Sequence, residues 1–219
     1  MGKGGENVTK TILFDLDGTL TDSGEGIMNC ATLALKHFGI LVPDRQVMRE
    51  FVGPPLHETF VKFGVPEDKA EEAVQVYRGR YTTIGKFENI PYPSIRELLD
   101  ALHAQNYRLL VATSKPEALS VEILEHFDLA KYFDRICGAS LDRSRSSKED
   151  VIAYLLQQCG SAENMVMVGD TAFDVIGAAA HGIPTIGVAW GYGTVASMET
   201  AGAVAIAYTT QQLFDLLTK

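Results

Sequence analysis

The stretch FDLDGTLTDS, residues 14–23, decides the fold because it places closely spaced aspartates directly after a short apolar run. That run, TILF at residues 11–14, has the composition of a buried strand. Asp15 and Asp17 follow it at once, and carboxylates at the mouth of a buried strand cost free energy unless a cation or a reaction uses them. The sequence therefore predicts a buried strand that delivers two carboxylates to a site.

The rest of the chain alternates between short apolar runs and amphipathic stretches. Further strands are predicted at residues 108–113, 135–139, 165–170, 184–189 and 204–208. Helices are predicted between them, at residues 94–105, 117–127, 148–159, 172–181 and 211–217. Such alternation is typical of an α/β fold, and we predict a doubly wound parallel, Rossmann-like sheet with helices on both faces.

The alternation breaks once, between Thr21 and about Phe87. This part of the chain has apolar residues at helical spacing, interrupted by breaks such as Gly53-Pro54-Pro55. We therefore predict a small helical domain inserted at residues 22–87. The α/β core would then consist of residues 1–21 and 88–219.

Composition narrows the class of protein and its partners. The 219 residues are 46% hydrophobic and 21% charged, as in globular proteins, and the net charge of -9 argues against a nucleic-acid partner. The most apolar long segment, residues 175–190, is interrupted by polar residues, so we predict no membrane partner. Three well-separated cysteines without a CxxC spacing indicate reduced thiols and a cytoplasmic protein. Residues 1–10 are predicted to be a flexible leader rather than a signal peptide.

Polar residues follow several of the predicted strands and should meet at one edge of the sheet. Ligands bind beyond the carboxyl ends of the strands in open parallel sheets, and Asp15, Thr113, Ser114 and Asp170 lie at such ends. Asp15 and Asp170 form a hard oxygen site suited to Mg²⁺, whereas no His or Cys cluster suits zinc. Thr113, the Ser114 amide and Lys148 are predicted to bind phosphate.

Asp15 and Asp17 are predicted to have different tasks at this site. Asp15 would attack phosphorus and form an aspartyl phosphate. Asp17 would protonate the leaving oxygen and later accept a proton from water. General acid–base catalysis of this kind typically increases the rate by about 100- to 10,000-fold.

Four stretches of the sequence, FDLDGTLTD, VATSK, Lys148 and GDTAFD, together resemble the four motifs of the haloacid dehalogenase superfamily. They occur in the family's order, and the insertion is similar to its helical cap. The resemblance implies a Mg²⁺ cofactor. It assigns the nucleophile to Asp15 and the acid/base to Asp17.

The resemblance also implies roles for the remaining site residues. The metal ligands would be the Asp15 and Asp170 carboxylates with the main-chain carbonyl of Asp17. Thr113 and Lys148 match the phosphate binders. Asp174 would act indirectly, through a water molecule or by contacting the residues that bind the metal.

The substrate class is narrowed by the same resemblance. Aspartate at position 17 favours phosphoryl transfer over dehalogenation, and Ile27 stands where sugar phosphomutases usually carry histidine. The phrases DGTLTDS and FVGPPL look most like the phosphoglycolate phosphatase group. We therefore predict a hydrolase of a small phosphomonoester, acting as a monomer or small homo-oligomer. A 5'-nucleotidase, a β-phosphoglucomutase-like mutase and a non-catalytic binding module remain the alternatives.

Several other residues compete for roles or have none assigned. Arg143 and Arg145 lie close to Lys148 in sequence and are alternative cations for the site. Trp190 and Tyr192 are predicted to be packing residues. Arg49 and Lys62 flank the turn at Gly53-Pro54-Pro55 and are candidate contacts for a charged part of the substrate. The sequence therefore offers candidate cations at two places, one near Lys148 and one beside the Gly53-Pro54-Pro55 turn.

Overall fold

The computed structural model describes residues 10–142 and 144–219. Its strands are β1 (Thr11–Phe14), β2 (Thr21–Asp22), β3 (Ile90–Pro91), β4 (Arg108–Pro116), β5 (Arg135–Ala139), β6 (Met165–Gly169), β7 (Thr185–Val188) and β8 (Ala205–Ala207). Its helices are α1 (Gly24–His37), α2 (Arg45–Met48), α3 (Leu56–Lys62), α4 (Ala70–Tyr81), α5 (Ile95–Ala104), α6 (Glu117–His126), α7 (Lys148–Cys159), α8 (Ala172–Ala179), α9 (Val195–Ala201) and α10 (Thr210–Leu217). Apart from its last residue, the predicted leader lies outside the described residues, as does Arg143.

Six of the described strands form one parallel sheet in the order β5-β4-β1-β6-β7-β8. Strand β1 lies near its middle, with Leu13 beside Leu110 on one side and Met167 on the other. All four residues of β1 are buried, because helices cover both faces of the sheet. The predicted doubly wound α/β fold is confirmed.

Two helices begin at positions that bring polar residues to the carboxyl edge of the sheet. Ser147 caps α7 by accepting from the amide of Asp150, so the helix begins at Lys148. Thr171 and Asp174 form a similar capping box at the start of α8. Both helix starts therefore lie beside the ends of β1 and β6.

The segment from α1 to α4 is helical and has its own apolar cluster. Ile27, Phe51, Phe60 and Tyr77 are among its buried residues. The segment joins the sheet domain through β2 and β3, which pair antiparallel with Thr21 opposite Pro91. This connection lies close to the boundaries predicted for the inserted domain.

The structure adds details that the sequence patterns did not predict. Helix α9 was missed because it has seven residues with only Met198 buried, too short and polar for a clear period. Strand β4 continues past the predicted end at Thr113 to Pro116. Among the described residues, no helix combines the length and apolar character needed to cross a membrane.

Candidate active site

Three carboxylates meet beyond the ends of β1 and β6. Asp15 follows β1, Asp170 follows β6, and Asp174 lies in the first turn of α8. One oxygen from each lies within 4.8 Å of the others, and all three residues are buried. The structure thus brings together Asp15 and Asp170, which the sequence assigned to one site, and places Asp174, for which an indirect role was predicted, beside them.

Lys148 is the ammonium group of this cluster. Its Nζ lies 2.7 Å from Oδ1 of Asp15 and 2.7 Å from Oδ1 of Asp174, and it donates a hydrogen bond to the carbonyl of Ala112 at 2.8 Å. Burial alone would lower the pKa of Lys148, but the two carboxylates raise it above its ordinary value. Lys148 is therefore a fixed positive charge at the floor of the site.

The cluster has more negative charge than Lys148 can balance. Three carboxylates against one ammonium leave a formal charge of -2 when all are ionised. Burial raises the pKa of Asp15 from 3.8 to about 6, although Lys148 acts in the opposite direction. Burial and the neighbouring Asp174 and Asp15 also raise the pKa of Asp170 well above its ordinary value. A divalent cation would supply the missing charge.

The Asp170 carboxylate is held on two sides by hydrogen-bond donors. It accepts from the Thr19 hydroxyl at 3.2 Å and from the Tyr192 amide at 2.7 Å. Gly18 and Gly191 lie so close to it that a Cβ at either position would overlap the carboxylate. Gly18 also has a φ of 88°, which side chains rarely adopt. The loops after β1 and β7 are thus shaped around Asp170.

Thr113 and Ser114 lie in an irregular part of β4. The pairing with β5 runs from Ala112 beside Cys137 to Pro116 beside Ala139, so three residues of β4 stand opposite one residue of β5. The resulting bulge lies next to β1 at the carboxyl edge of the sheet. Thr113 is buried and Ser114 half-buried. Their predicted phosphate contacts stay a prediction.

Asp17 faces a second lysine. Its Oδ2 lies 2.5 Å from Nζ of Lys115, the third residue of the bulge. The same ammonium lies 4.8 Å from the ring centroid of Tyr81 at the end of α4. Oδ1 of Asp17 is buried and has no hydrogen-bond partner among the described residues. Asp15 and Asp17 are therefore paired with different lysines.

The sequence predicts no site contact for Lys115 or Tyr192, nor for Thr19, whose hydroxyl donates to Asp170. Lys115 lies within VATSK, where the sequence predicts phosphate contacts only for Thr113 and Ser114. Tyr192, predicted to be a packing residue, also binds the site: its amide donates to Asp170, and its hydroxyl donates to Asp22. The glycines on both sides of Tyr192 were the available signal, because a close backbone approach favours glycine.

Trp190 fits its predicted packing role, since it is half-buried against the core and donates to the Thr19 carbonyl at 3.1 Å.

Arg145 does not join the carboxylate cluster. Its guanidinium donates to the Gly138 carbonyl at 2.6 Å and to Glu117 at 3.2 Å. Of the alternative cations near Lys148, Arg145 therefore supports the loop after β5 instead.

The two candidate cations of the helical segment lie in different surroundings. Lys62 pairs with Glu50 at 2.5 Å, and two thirds of its side chain is exposed. The guanidinium carbon of Arg49 lies 5.3 Å from the centroid of the Tyr192 ring, next to the loop that binds Asp170. Arg49 thus contacts a residue that binds Asp170, whereas Lys62 pairs with Glu50.

Comparison with known proteins identifies relatives of this fold and site. The family model described as haloacid dehalogenase-like hydrolase matches residues 12–188. The crystal structure of a protein described as a predicted phosphatase, from Clostridium acetobutylicum, superposes with a TM-score of 0.91 and is 42% identical, covering 96% of this chain and 99% of that one. The predicted family is therefore confirmed.

Curated relatives with different activities are similar to this chain. A tyrosine-protein kinase, PtkA of Mycobacterium tuberculosis, is 48% identical over 83% of this chain, which spans only 62% of the kinase's length. A 5'-nucleotidase of Pseudomonas aeruginosa is 44% identical, covering 84% of each chain. A phosphoglycolate phosphatase of Aquifex aeolicus is 33% identical over 84% of this chain and 86% of its own length.

Proposed function

The chain belongs to the haloacid dehalogenase-like hydrolases, and we propose that it is a Mg²⁺-dependent phosphatase that hydrolyses a small phosphomonoester through an aspartyl phosphate on Asp15. The observation that supports this most is the buried cluster in which Lys148 lies 2.7 Å from both Asp15 and Asp174, with Asp170 beside them. Such a cluster combines a carboxylate nucleophile with the positive charge that a phosphoryl group needs.

The donor set fits a hard divalent cation. Carboxylate oxygens of Asp15 and Asp170 and the main-chain carbonyl of Asp17 would hold Mg²⁺, which prefers oxygen ligands. Oδ1 of Asp15 and of Asp174 receive the charge of Lys148 but no hydrogen bond of good geometry, so their capacity to accept is not exhausted. When bound, the ion would neutralise the cluster and draw negative charge from the phosphoryl oxygens.

The chain's own residues would perform the reaction in two steps. A carboxylate oxygen of Asp15 attacks phosphorus, and the bond from phosphorus to the ester oxygen breaks. Asp17 gives its proton to that leaving oxygen. A water molecule then attacks phosphorus and gives a proton to Asp17, and the bond from phosphorus to Asp15 breaks. Inorganic phosphate and the free alcohol are the products.

Lys148 and Thr113 would hold the phosphoryl oxygens during both steps. Lys148 is anchored by the Ala112 carbonyl at 2.8 Å, one residue before Thr113 in the bulge of β4. This anchor fixes the ammonium relative to the bulge, which favours positioning over mobility. Ser114 would contribute its main-chain amide from the same bulge.

The helical segment would act as a cap over the leaving group. We take residues 22–87 as the cap domain and the pairing of Asp22 with Ile90 as its connection to the core. The residues assigned to the phosphoryl group act on a part that all phosphomonoesters share, so discrimination between alcohols would come from the cap. Arg49, beside Tyr192, is the candidate contact for a charged leaving group.

The sequence and the relatives support two substrate classes. The stretches DGTLTDS and FVGPPL resemble those of phosphoglycolate phosphatases, which favours phosphoglycolate as the substrate. The 44% identity to a 5'-nucleotidase favours nucleoside monophosphates instead. Both classes share the phosphoryl group and differ only in the alcohol. Ile27 packs in the apolar cluster of the cap, which counts against the histidine-dependent mutase alternative.

A phosphate-release assay over a metabolite panel tests the proposal. The panel contains phosphoglycolate, nucleoside monophosphates, sugar phosphates and 4-nitrophenyl phosphate, each with Mg²⁺ and with excess chelator. We expect release that requires the metal and is lost in Asp15→Asn. Turnover that persists in chelator, or in Asp15→Asn, would refute the proposed mechanism. A bisphosphate requirement would point to a mutase instead.

A second candidate function, transfer of a phosphoryl group to a protein tyrosine, is favoured by the 48% identity to PtkA. In that reaction the γ-phosphorus of a nucleoside triphosphate would form a bond to the tyrosine oxygen as its bond to the β,γ-bridging oxygen breaks. The nucleoside diphosphate would leave, and the tyrosine hydroxyl would release its proton to solvent. Incubation with labelled ATP and a tyrosine-containing polymer separates the two functions. Label on the polymer would favour the kinase, whereas an unlabelled polymer from a preparation that hydrolyses a phosphomonoester of the panel would favour the hydrolase.

A further inference from the structure

Asp17 is paired with a buried lysine that the reaction described above does not use. We propose that Lys115 is a positioning residue for this reaction, holding the Asp17 side chain in one orientation while Tyr81 of the cap holds Lys115. The inference rests on the proposed phosphatase function. It concerns the proton transferred to the leaving group and not the binding of the phosphoryl group.

The contact between Lys115 and Asp17 is short and shielded. Nζ of Lys115 lies 2.5 Å from Oδ2 of Asp17, and only 6% and 15% of the two side chains are exposed. Charge-assisted hydrogen bonds of this kind are about twice as strong as neutral ones, and their geometry is fixed when they are buried. Within the described part of the chain, Lys115 forms an ion pair with no other carboxylate.

The backbone fixes where Lys115 can reach. It is the last residue of the β4 bulge, and its amide donates to the hydroxyl of Thr113 at 3.3 Å. Gly138, opposite the bulge, lies so close that a Cβ there would overlap the Lys115 carbonyl. The ammonium therefore approaches Asp17 from a constrained segment of the core.

Each oxygen of Asp17 has a separate environment as a result. Lys115 occupies Oδ2, whereas Oδ1 is buried and without a hydrogen-bond partner in the residues that the structure covers. An acid/base needs one oxygen free for the moving proton, and an anchored second oxygen keeps it aimed. Lys148 performs the corresponding task for Asp15. The proposed nucleophile and the proposed acid/base are thus each paired with their own lysine.

Tyr81 connects this arrangement to the cap. Its ring lies 4.8 Å from the Lys115 ammonium and stacks on Tyr77, with centroids 5.2 Å apart and ring planes at 13°. The Tyr81 ring therefore acts as the wall on which Lys115 rests, through a cation–π contact. Its hydroxyl is buried without a described hydrogen-bond partner, so the ring face is the part that acts on Lys115.

Lys131 provides a matched control. Its ammonium lies 2.6 Å from Asp128 and 5.3 Å from the Tyr132 ring centroid, which repeats the carboxylate and aromatic contacts of Lys115. Half of its side chain is exposed, and it lies outside the carboxyl edge of the sheet. Lys131→Met therefore removes the same kind of contacts without touching the site.

The experiment compares a good and a poor leaving group. Initial rates are measured with 4-nitrophenyl phosphate, which needs no proton, and with an alkyl phosphate, which does. Lys115→Met is expected to lose about 10- to 100-fold more rate on the alkyl phosphate than on the aryl phosphate. Lys115→Arg should recover part of that difference. Lys131→Met should stay within about twofold of wild type on both substrates.

Two further variants separate positioning from a structural role. In the Asp17→Asn background, Lys115→Met should add no further leaving-group dependence, because both act on one proton. Tyr81→Leu should shift the ratio between the substrates more than Tyr81→Phe, which keeps the ring face. If Lys115→Met does not fold, Tyr81→Leu against Tyr81→Phe carries the same comparison.

Each outcome decides between the inferences. The inference about Lys115 would be wrong if Lys115→Met lowered the rate equally on both substrates. It would also be wrong if Lys115→Met changed the substrate ratio as much in the Asp17→Asn background as in wild type. Neither result would contradict the proposed phosphatase. A wild-type protein that releases phosphate from no member of the metabolite panel would overturn the proposed phosphatase, and this inference with it. A ratio that changes in Lys115→Met and in Tyr81→Leu, but not in Lys131→Met, would support it.

Discussion

Two lysines at the carboxyl edge of the sheet and two lysines on the helical segment pair with carboxylates in opposite surroundings. In the core, Lys148 and Lys115 are buried and contact carboxylates at 2.7 and 2.5 Å. On the helical segment, the pairs Lys62–Glu50 and Lys69–Glu72 lie at the surface with about half or more of each side chain exposed. Buried charges are costly unless partners or ligands compensate them, whereas exposed pairs contribute little. The difference in burial therefore favours a role in the reaction for Lys148 and Lys115 over one for Lys62 and Lys69.

The largest effect should come from Lys148. Lys148→Met leaves three buried carboxylates without their ammonium, so the free energy of unfolding in chelator should fall by about 3 to 5 kcal/mol. Urea denaturation at neutral pH measures this change. A loss below about 1 kcal/mol would mean that the carboxylates are compensated by another group, and the contrast between core and cap would fail.

The next effect concerns pH in the metal-free protein. Burial raises the pKa of Asp15 from 3.8 to about 6, so folding favours its protonated form. This contribution is complete below pH 3.8 and is lost as the pH rises through about 6, with a change of about 1 to 3 kcal/mol.

The difference in unfolding free energy between wild type and Asp15→Asn isolates that contribution from other carboxylates. We expect wild type to lose stability relative to the variant between about pH 4 and 6 in chelator, and Mg²⁺ to reverse the trend. A difference that is flat with pH would show that the Asp15 carboxyl is not held in a charge-poor environment.

A smaller change, of opposite sign, is expected at Asp170. Asp170→Asn removes one of three mutually repelling carboxylates, and the amide can still accept from Tyr192 and donate to the Thr19 hydroxyl. The metal-free variant should be more stable than wild type by about 0.5 to 2 kcal/mol. It should also lose Mg²⁺ binding in calorimetry. Destabilisation with intact Mg²⁺ binding would contradict the charge argument.

The smallest effect should come from the cap surface. Lys62→Met breaks the exposed pair with Glu50 and should change the free energy of unfolding by less than about 0.5 kcal/mol. Its activity should match wild type on every substrate. A selective loss on one phosphomonoester would instead move Lys62 into the substrate contacts that we assign to Arg49.

Much of the fold could be predicted from the sequence because the strands are short, apolar and regularly alternate with helices. The same regularity placed Asp15 and Asp170 at one edge, since parallel strands end together. The boundaries that failed are local exceptions to periodicity. Strand β4 runs through its bulge to Pro116, and α9 has too few buried residues to show a helical period.

The remaining parts of the site depend on contacts between distant segments. Lys115 reaches Asp17 across 98 positions of the chain, and Tyr192 reaches Asp22 across 170. No spacing rule connects such residues, because the bulge and the packing of the cap on the core decide which side chains meet. Arg145 shows the converse, since a cation near Lys148 in sequence binds Gly138 and Glu117 instead.

The most direct test of the central claim is to locate the phosphoryl group during turnover. Asp17→Asn should hydrolyse the intermediate slowly, so this variant is mixed with Mg²⁺ and 4-nitrophenyl phosphate and quenched in acid. Peptide mass spectrometry should then find the added phosphoryl group on Asp15, and Asp15→Asn in the same background should show none. Phosphate on Ser114 or another residue, or an unmodified protein during steady turnover, would contradict the account.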